Sequence, residues 1–146
     1  MSDPIRVSIL DGDNLFRQSA RAWLETAEDI VVVSEAKRPE AMTLIRETRP
    51  DVIVLGVSAS RADSLQMVEQ LCELFPQIKI IVLDDDGEEQ LALEAFRKGA
   101  LGCLLRRTQP AEVVAAVRTV AKGKAVLSPS VAGRILDEIV KRGGSV

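Results

Sequence analysis

The sequence predicts an α/β protein: a doubly wound five-stranded parallel sheet, flavodoxin-like, with an extra C-terminal helix. Three observations carry that prediction. Five short β-rich runs recur along the chain, a helical period follows each of them, and turn residues stand at the junctions. The runs are 5–10 (IRVSIL), 30–35 (IVVVSE), 51–56 (DVIVLG), 78–83 (IKIIVL) and 102–105 (GCLL). Several are apolar on consecutive residues, the pattern of strands covered on both faces.

After strand 5–10, Phe16, Ala20, Trp23 and Ala27 repeat at three or four residues and define one face of a helix. After 30–35 come Ala41, Leu44 and Ile45, with Pro50 beyond the helix end. Strand 51–56 leads to Leu65, Val68, Leu71 and Phe75, closed by Pro76. Strand 78–83 leads to Leu91 and Ala95, closed by Gly99. The last strand leads to Val113, Val117 and Val120, with Pro110 at the first turn and Gly123 past the end. Right-handed crossovers between parallel strands then give the order 2-1-3-4-5. The first and third strands are neighbours at the switch point of that order, so Asp11 and Gly56 face one another at the expected ligand crevice.

A sixth helical segment occupies 128–143, with Ser128 as its cap, Pro129 in its first turn, and Val131, Ile135 and Ile139 on one side. Two readings follow for the organisation of the chain. Residues 1–127 form one domain, and 128–146 are either a terminal helix packed on it or a linker toward a further domain.

Composition narrows the function classes. A chain of 146 residues with 47% hydrophobic and 28% charged residues is the size of one domain with a real core. A net charge of -3 gives no general attraction to nucleic acid, so DNA contact is expected only through another domain. Cys72 and Cys103 lie far apart in apolar-patterned elements, which suits reduced, buried thiols in a cytoplasmic protein. The opening residues lack a signal-peptide pattern, and no apolar run approaches the roughly 18 residues of a membrane span. There is no histidine and no phosphate-cradling glycine-rich loop after the first strand, which argues against a flavodoxin-like enzyme.

From Ile5 to about Val140 the chain resembles a receiver domain of a two-component response regulator, of the NarL/FixJ class. The resemblance runs through "IRVSILDGDNLFRQSARAWLE", "RPDVIVLG", "IKIIVLDDD", "ALEAFRKGALGCLLRR" and "VVAAVRTVAKGKAVLSPSV", in that order and spacing. In such a receiver, two adjacent acids after the first strand hold magnesium, and an aspartate ending the third strand accepts a phosphoryl group. A Thr or Ser ends the fourth strand, and an aromatic switch residue and a lysine mark the fifth. Magnesium wants carboxylate oxygens, and phosphoryl transfer needs its charge neutralised. Carried over by position, the acidic pair becomes Asp11 and Gly12, and the acceptor becomes Gly56. The Thr or Ser becomes Asp84, the aromatic residue becomes Cys103, and the lysine becomes Arg106. Asp13 is a candidate second acid; Asp51 stands at the wrong end of its strand.

What the resemblance implies is therefore an atypical member, a phosphorylation-independent pseudo-receiver that is not an enzyme and needs no cofactor or metal. It is expected to be the regulatory and dimerisation module of a transcription factor, pairing as a homodimer through its first or fifth helix. DNA would be reached only through a helix-turn-helix domain outside this chain. A receiver that senses a small-molecule ligand, and a conventional phosphorylatable receiver, are the rival readings. Within the crevice, Asp11, Asp84 and Asp13 are expected to crowd together, with Arg106 pairing to Asp11 or Asp84 in place of a metal. Asp84, Asp85 and Asp86 are equally readable as a solvated acidic loop, and Arg106 with Arg107 as surface charge.

Overall fold

The computed structural model describes residues 3–58, 60–86 and 88–144, so residues 1, 2, 145 and 146 of the two expected segments lie outside it. The elements in chain order are β1 (Ile5–Leu10), α1 (Asn14–Glu25), β2 (Ile30–Ala36), α2 (Arg38–Thr48), β3 (Val52–Gly56), α3 (Arg61–Leu74), β4 (Lys79–Asp84), α4 (Glu89–Lys98), β5 (Gly102–Leu105), α5 (Pro110–Ala121) and α6 (Pro129–Gly144). All four strand pairings are parallel, and the order is β2-β1-β3-β4-β5. The predicted fold class is the observed one.

The sheet separates two apolar layers. On one face Ile9, Val54 and Leu83 pack with Leu24 of α1 and Val117 of α5. On the other, Ile53 and Ile80 pack with Ile45 of α2, Leu71 of α3 and Ala95 of α4. Alternate residues of β3 thus go to opposite layers, which is why its apolar run is continuous. Local chemistry sets the helix starts. Asp13 caps α1 by accepting from Phe16 N at 3.1 Å, Ser60 caps α3 by accepting from Asp63 N, and Ser128 caps α6 by accepting from Val131 N. Gly99 ends α4 at φ 118°, a left-handed conformation, and a Cβ there would stand 2.6 Å from the Cys72 sulfur.

Several boundary and burial expectations are corrected. Strand β4 is shifted by one residue, to Lys79–Asp84 in place of 78–83, so Asp84 ends the strand, the position that the family resemblance gave it. Ala27 and Phe75 belong to the apolar layers from just outside their helices. The thiols of Cys72 and Cys103 are free but only partly buried. On α6, Val131 and Ile135 pack with Ala92 and Leu93 of α4; Ile139, on the same side of the helix, borders a shallow hollow with Phe96 and Arg97 and is 58% exposed.

Candidate functional site

Strand register brings four chain segments to one edge. Leu10 of β1 pairs with Leu55 of β3, Gly56 with Leu83 of β4, and Asp84 with Leu105 of β5, so Asp11, Gly56, Asp84 and Arg106 all emerge at the carboxyl ends. Backbone hydrogen bonds hold these ends together: Asp11 N donates to Ala36 O, Val57 N to Leu83 O, and Arg106 N to Asp84 O.

Asp11 is 6% exposed. One carboxylate oxygen accepts from Asp13 N at 2.9 Å, and the other is paired with Nη1 of Arg106. The same guanidinium donates from Nε to Asp85 at 2.8 Å and from Nη2 to Val57 O at 3.1 Å. Its Cζ lies 4.7 Å from the Phe16 ring centroid, and Phe16 makes an edge-to-face contact with Trp23 at 5.7 Å. Burial by itself would lower the Arg106 pKa, but the hydrogen bond and charge of Asp11, with Asp85 adding to them, hold it above the ordinary value. Arg17 supports Asp11 from below, donating from Nη1 to the Asp11 carbonyl at 2.6 Å.

Gly56 lies directly under this pair. A Cβ on Gly56 would overlap the Asp11 carboxylate, with Asp11 Cγ at 2.6 Å and Arg106 Nη1 at 2.9 Å. The space into which a third-strand side chain would rise is therefore filled by two other side chains. Gly12, in contrast, has open space on its Cβ side.

The other candidate residues diverge from the crowded arrangement expected. Asp13 is exposed and committed to capping α1. Asp84 is 3% exposed, but it points away from Arg106 and accepts from Glu88 N at 3.2 Å, at the entry to α4. Asp85, which sequence reasoning left in the solvated loop, is the second partner of Arg106. Asp86 and Glu88 pair with Arg61 across the same rim. Cys103 faces a cavity beyond β5, not the Asp11–Arg106 pair, and burial, followed by the Asp84 charge, pushes its thiol up to about 11. Phe16 was legible as part of the first helix's apolar face and Arg17 only as part of the stretch that resembles the receiver family; their contacts with Arg106 and Asp11 depend on how α1 packs over the strand ends.

The donor set does not fit magnesium. Gly12 and Gly56 offer no carboxylate, Asp13 is turned to the helix, and the Asp11 oxygens are taken by a backbone N–H and a guanidinium. Among the described residues no group of three His, Cys, Asp or Glu is arranged to hold a metal ion. No helix among them is long and apolar enough to cross a membrane.

Comparison with known proteins completes the picture. The family profile of the response regulator receiver domain matches residues 7–118. The transcriptional regulatory protein LiaR of Bacillus subtilis is 32% identical over 136 residues, covering 92% of this chain and 64% of that protein. The uncharacterized transcriptional regulatory protein YxjL of the same organism is 31% identical, covering 93% and 63%. The chain thus spans less than two-thirds of the length of these relatives. A LuxR-family response regulator from Aurantimonas superposes with a TM-score of 0.83 at 27% identity over 94% of this chain and 99% of that one. The receiver domain of the NarL response regulator of Mycobacterium tuberculosis superposes with a TM-score of 0.77, also at 27% identity, over 84% and 100%. By its strand order, its profile match and its relatives, the chain belongs to the family of response regulator receiver domains.

Proposed function

We propose that this receiver domain works without a phosphoryl group, as the regulatory and dimerisation module of a transcription regulator whose DNA contacts lie in a separate helix-turn-helix domain. The observation that carries the reading is the Asp11–Arg106 pair seated over Gly56, where a phosphoacceptor carboxylate would have to stand. Phosphoryl transfer needs a nucleophile and a cation to neutralise the transferred charge. Here the third strand offers no nucleophile, and the cation in place is already bound by a carboxylate. The names of LiaR and YxjL as transcriptional regulatory proteins support the regulatory part, and the reading places the protein in the cytoplasm, where two free thiols stay reduced.

The test is incubation with acetyl phosphate and magnesium, read by intact mass. The mass is expected to stay unchanged. A single phosphoryl addition mapped to the strand ends would overturn the reading and restore that of a conventional receiver. Gly56→Asp alone is also expected to remain unphosphorylated, since the new carboxylate would enter between Asp11 and Arg106 and the second acid would still be lacking at Gly12.

Without phosphate to shift a two-state equilibrium, the associating conformation is held by default. Self-association then occurs without a signal, through a surface that includes α1 or α5, helices that pack side by side. Sedimentation at about 100 µM should show a dimer. A monomer at that concentration removes this part of the proposal.

A further inference from the structure

Beyond β5, a cavity of about 390 Å³ lies between α4, the start of α5 and the first turn of α6. It is separate from the Asp11–Arg106 crevice, where the remaining hollow is about 90 Å³ and Asp11, Gly12 and Gly56 form part of the wall. The difference decides where a ligand fits: organic ligands occupy spaces of roughly 300–1,000 Å³. The larger cavity reaches the low end of that range and the crevice does not.

The chemistry of the walls is one-sided. Ala92, Cys103, Leu104, Leu105, Leu127 and Val131 make the apolar surface. The charged groups are all acidic, namely Asp84, Glu88 and Glu112, and no lysine or arginine lines the space. Glu88 is already paired with Arg61 at the rim. Asp84 differs from it: the residue is 3% exposed, and its only side-chain hydrogen bond among the described residues comes from Glu88 N, at 3.2 Å. A carboxylate can accept on both oxygens. Among the described residues the second oxygen of Asp84 is not one of the buried atoms sealed off without a partner, so it is open to a donor in the cavity that Asp84 lines.

We propose that this cavity binds a small organic cation, an amine carried on an apolar body, with the ammonium on Asp84 and the body against Leu104, Leu127 and Val131. Charge sets the sign of the ligand: the lining holds three carboxylates and no lysine or arginine, and the guanidinium at the rim, Arg61, is already bound by Glu88 and Asp86. Ligand binding would bridge β5 to the first turn of α6, because Leu127, Ser128 and Val131 form one wall. For its regulatory meaning the inference rests on the phosphate-independent reading above; the binding itself does not.

The experiment uses the full chain labelled with nitrogen-15 and three probes of matched shape: 4-phenylbutylamine, 4-phenylbutan-1-ol and 4-phenylbutyrate. The amine is expected to give saturable shifts at the amides of Leu104, Leu105 and Val131, and to bind about tenfold or more tightly than the alcohol. The carboxylate should give no saturable shift there. Asp84→Asn should bring the amine to the affinity of the alcohol, and Leu127→Trp, which fills the cavity while leaving Asp84 in place, should abolish both. The proposal is overturned if the amine gives no saturable shift at these amides up to about 10 mM, or if the carboxylate binds as well as the amine. Acetyl phosphate treatment of the same sample separates the two readings. A phosphorylated chain that still selects the amine overturns only the proposed function, and an unphosphorylated chain indifferent to the amine overturns only the cavity.

Discussion

Asp11 and Arg106, 95 residues apart in the chain, form an ion pair directly above the backbone of Gly56. The pair needs three strands in register: β1 delivers the carboxylate, β5 the guanidinium, and β3 the gap in which they meet. The gap exists because residue 56 has no Cβ. The ion pair as seated therefore depends on a glycine at position 56.

Gly56→Ala tests that dependence. Its Cβ must push the buried Asp11 carboxylate away from Arg106, and the expected loss is about 1–3 kcal/mol, the range for leaving charged hydrogen-bonding groups imperfectly paired. Gly12→Ala, with nothing within 4 Å of the added carbon, should stay within about 0.5 kcal/mol of the parent. Urea unfolding of the two variants, with unchanged slopes, measures both. Equal stabilities would show that the pair yields freely.

Arg106→Ala is expected to lose about 1–3 kcal/mol, and Arg106→Lys to recover only part of it. Lysine can reach Asp11, but it cannot at the same time donate to Val57 O and stand over the Phe16 ring as the guanidinium does. The Asp85 contact contributes little to this balance, since that side chain is 67% exposed and water screens it. Asp85→Ala should accordingly be close to neutral in the same unfolding assay.

Cys103 should alkylate slowly. With its thiol pushed up to about 11 from an ordinary 9.0 by burial and then by Asp84, the thiolate fraction at pH 8 is about a hundredfold below that of an open thiol. Iodoacetamide labelling followed by peptide mass gives the rate. Asp84→Asn should accelerate it by removing the nearby negative charge; no acceleration would mean that burial alone sets the thiol.

Acid should loosen α6 from α4. Glu138 on α6 is held below its ordinary 4.5 chiefly by the hydrogen bond from Arg97 on α4, against an opposing effect of burial. A depressed carboxylate stabilises docking above its unfolded pKa, and that contribution is lost as pH falls through the lower folded value. Amide shifts of Val131 and Ile135 should therefore stay constant near neutral pH and begin to move below about pH 4.5. Glu138→Gln should remove that dependence. An unchanged acid response in the variant would assign the transition to another group.

Much of the fold was open to reading from the chain alone, since strands and helices write their burial into local periodicity. The β3 run is apolar throughout because its alternate residues enter two layers, and Val113, Val117 and Val120 repeat as one helical face turned to the sheet. Phe75 and Ala27 were legible as core residues, although they lie past the helix ends, because burial follows position in space and not helix membership. For α6, periodicity gives the side that carries Val131, Ile135 and Ile139, while the extent to which that side is covered, full at Val131 and Ile135 and partial at Ile139, is set by packing on α4.

The site divides in the same way. From the sequence alone, strand order placed Asp11 and Gly56 at the carboxyl edge, with Gly56 bringing no functional group there, and the resemblance to receiver domains added Asp84 and Arg106. Tertiary structure alone decided how they are partnered. Asp13 is drawn off to the N–H groups of α1, Asp84 turns to the entry of α4 and to the cavity beyond β5, and Arg106 takes Asp11, Asp85 and the Phe16 ring. Side-chain direction at a strand end is set by competing hydrogen-bond donors within a few ångströms: some are local, as Phe16 N is three residues from Asp13 and Glu88 N four from Asp84, whereas the guanidinium that takes Asp11 comes from 95 residues away. Sequence spacing carries the backbone to the edge; the choice among partners is made only when the sheet has closed.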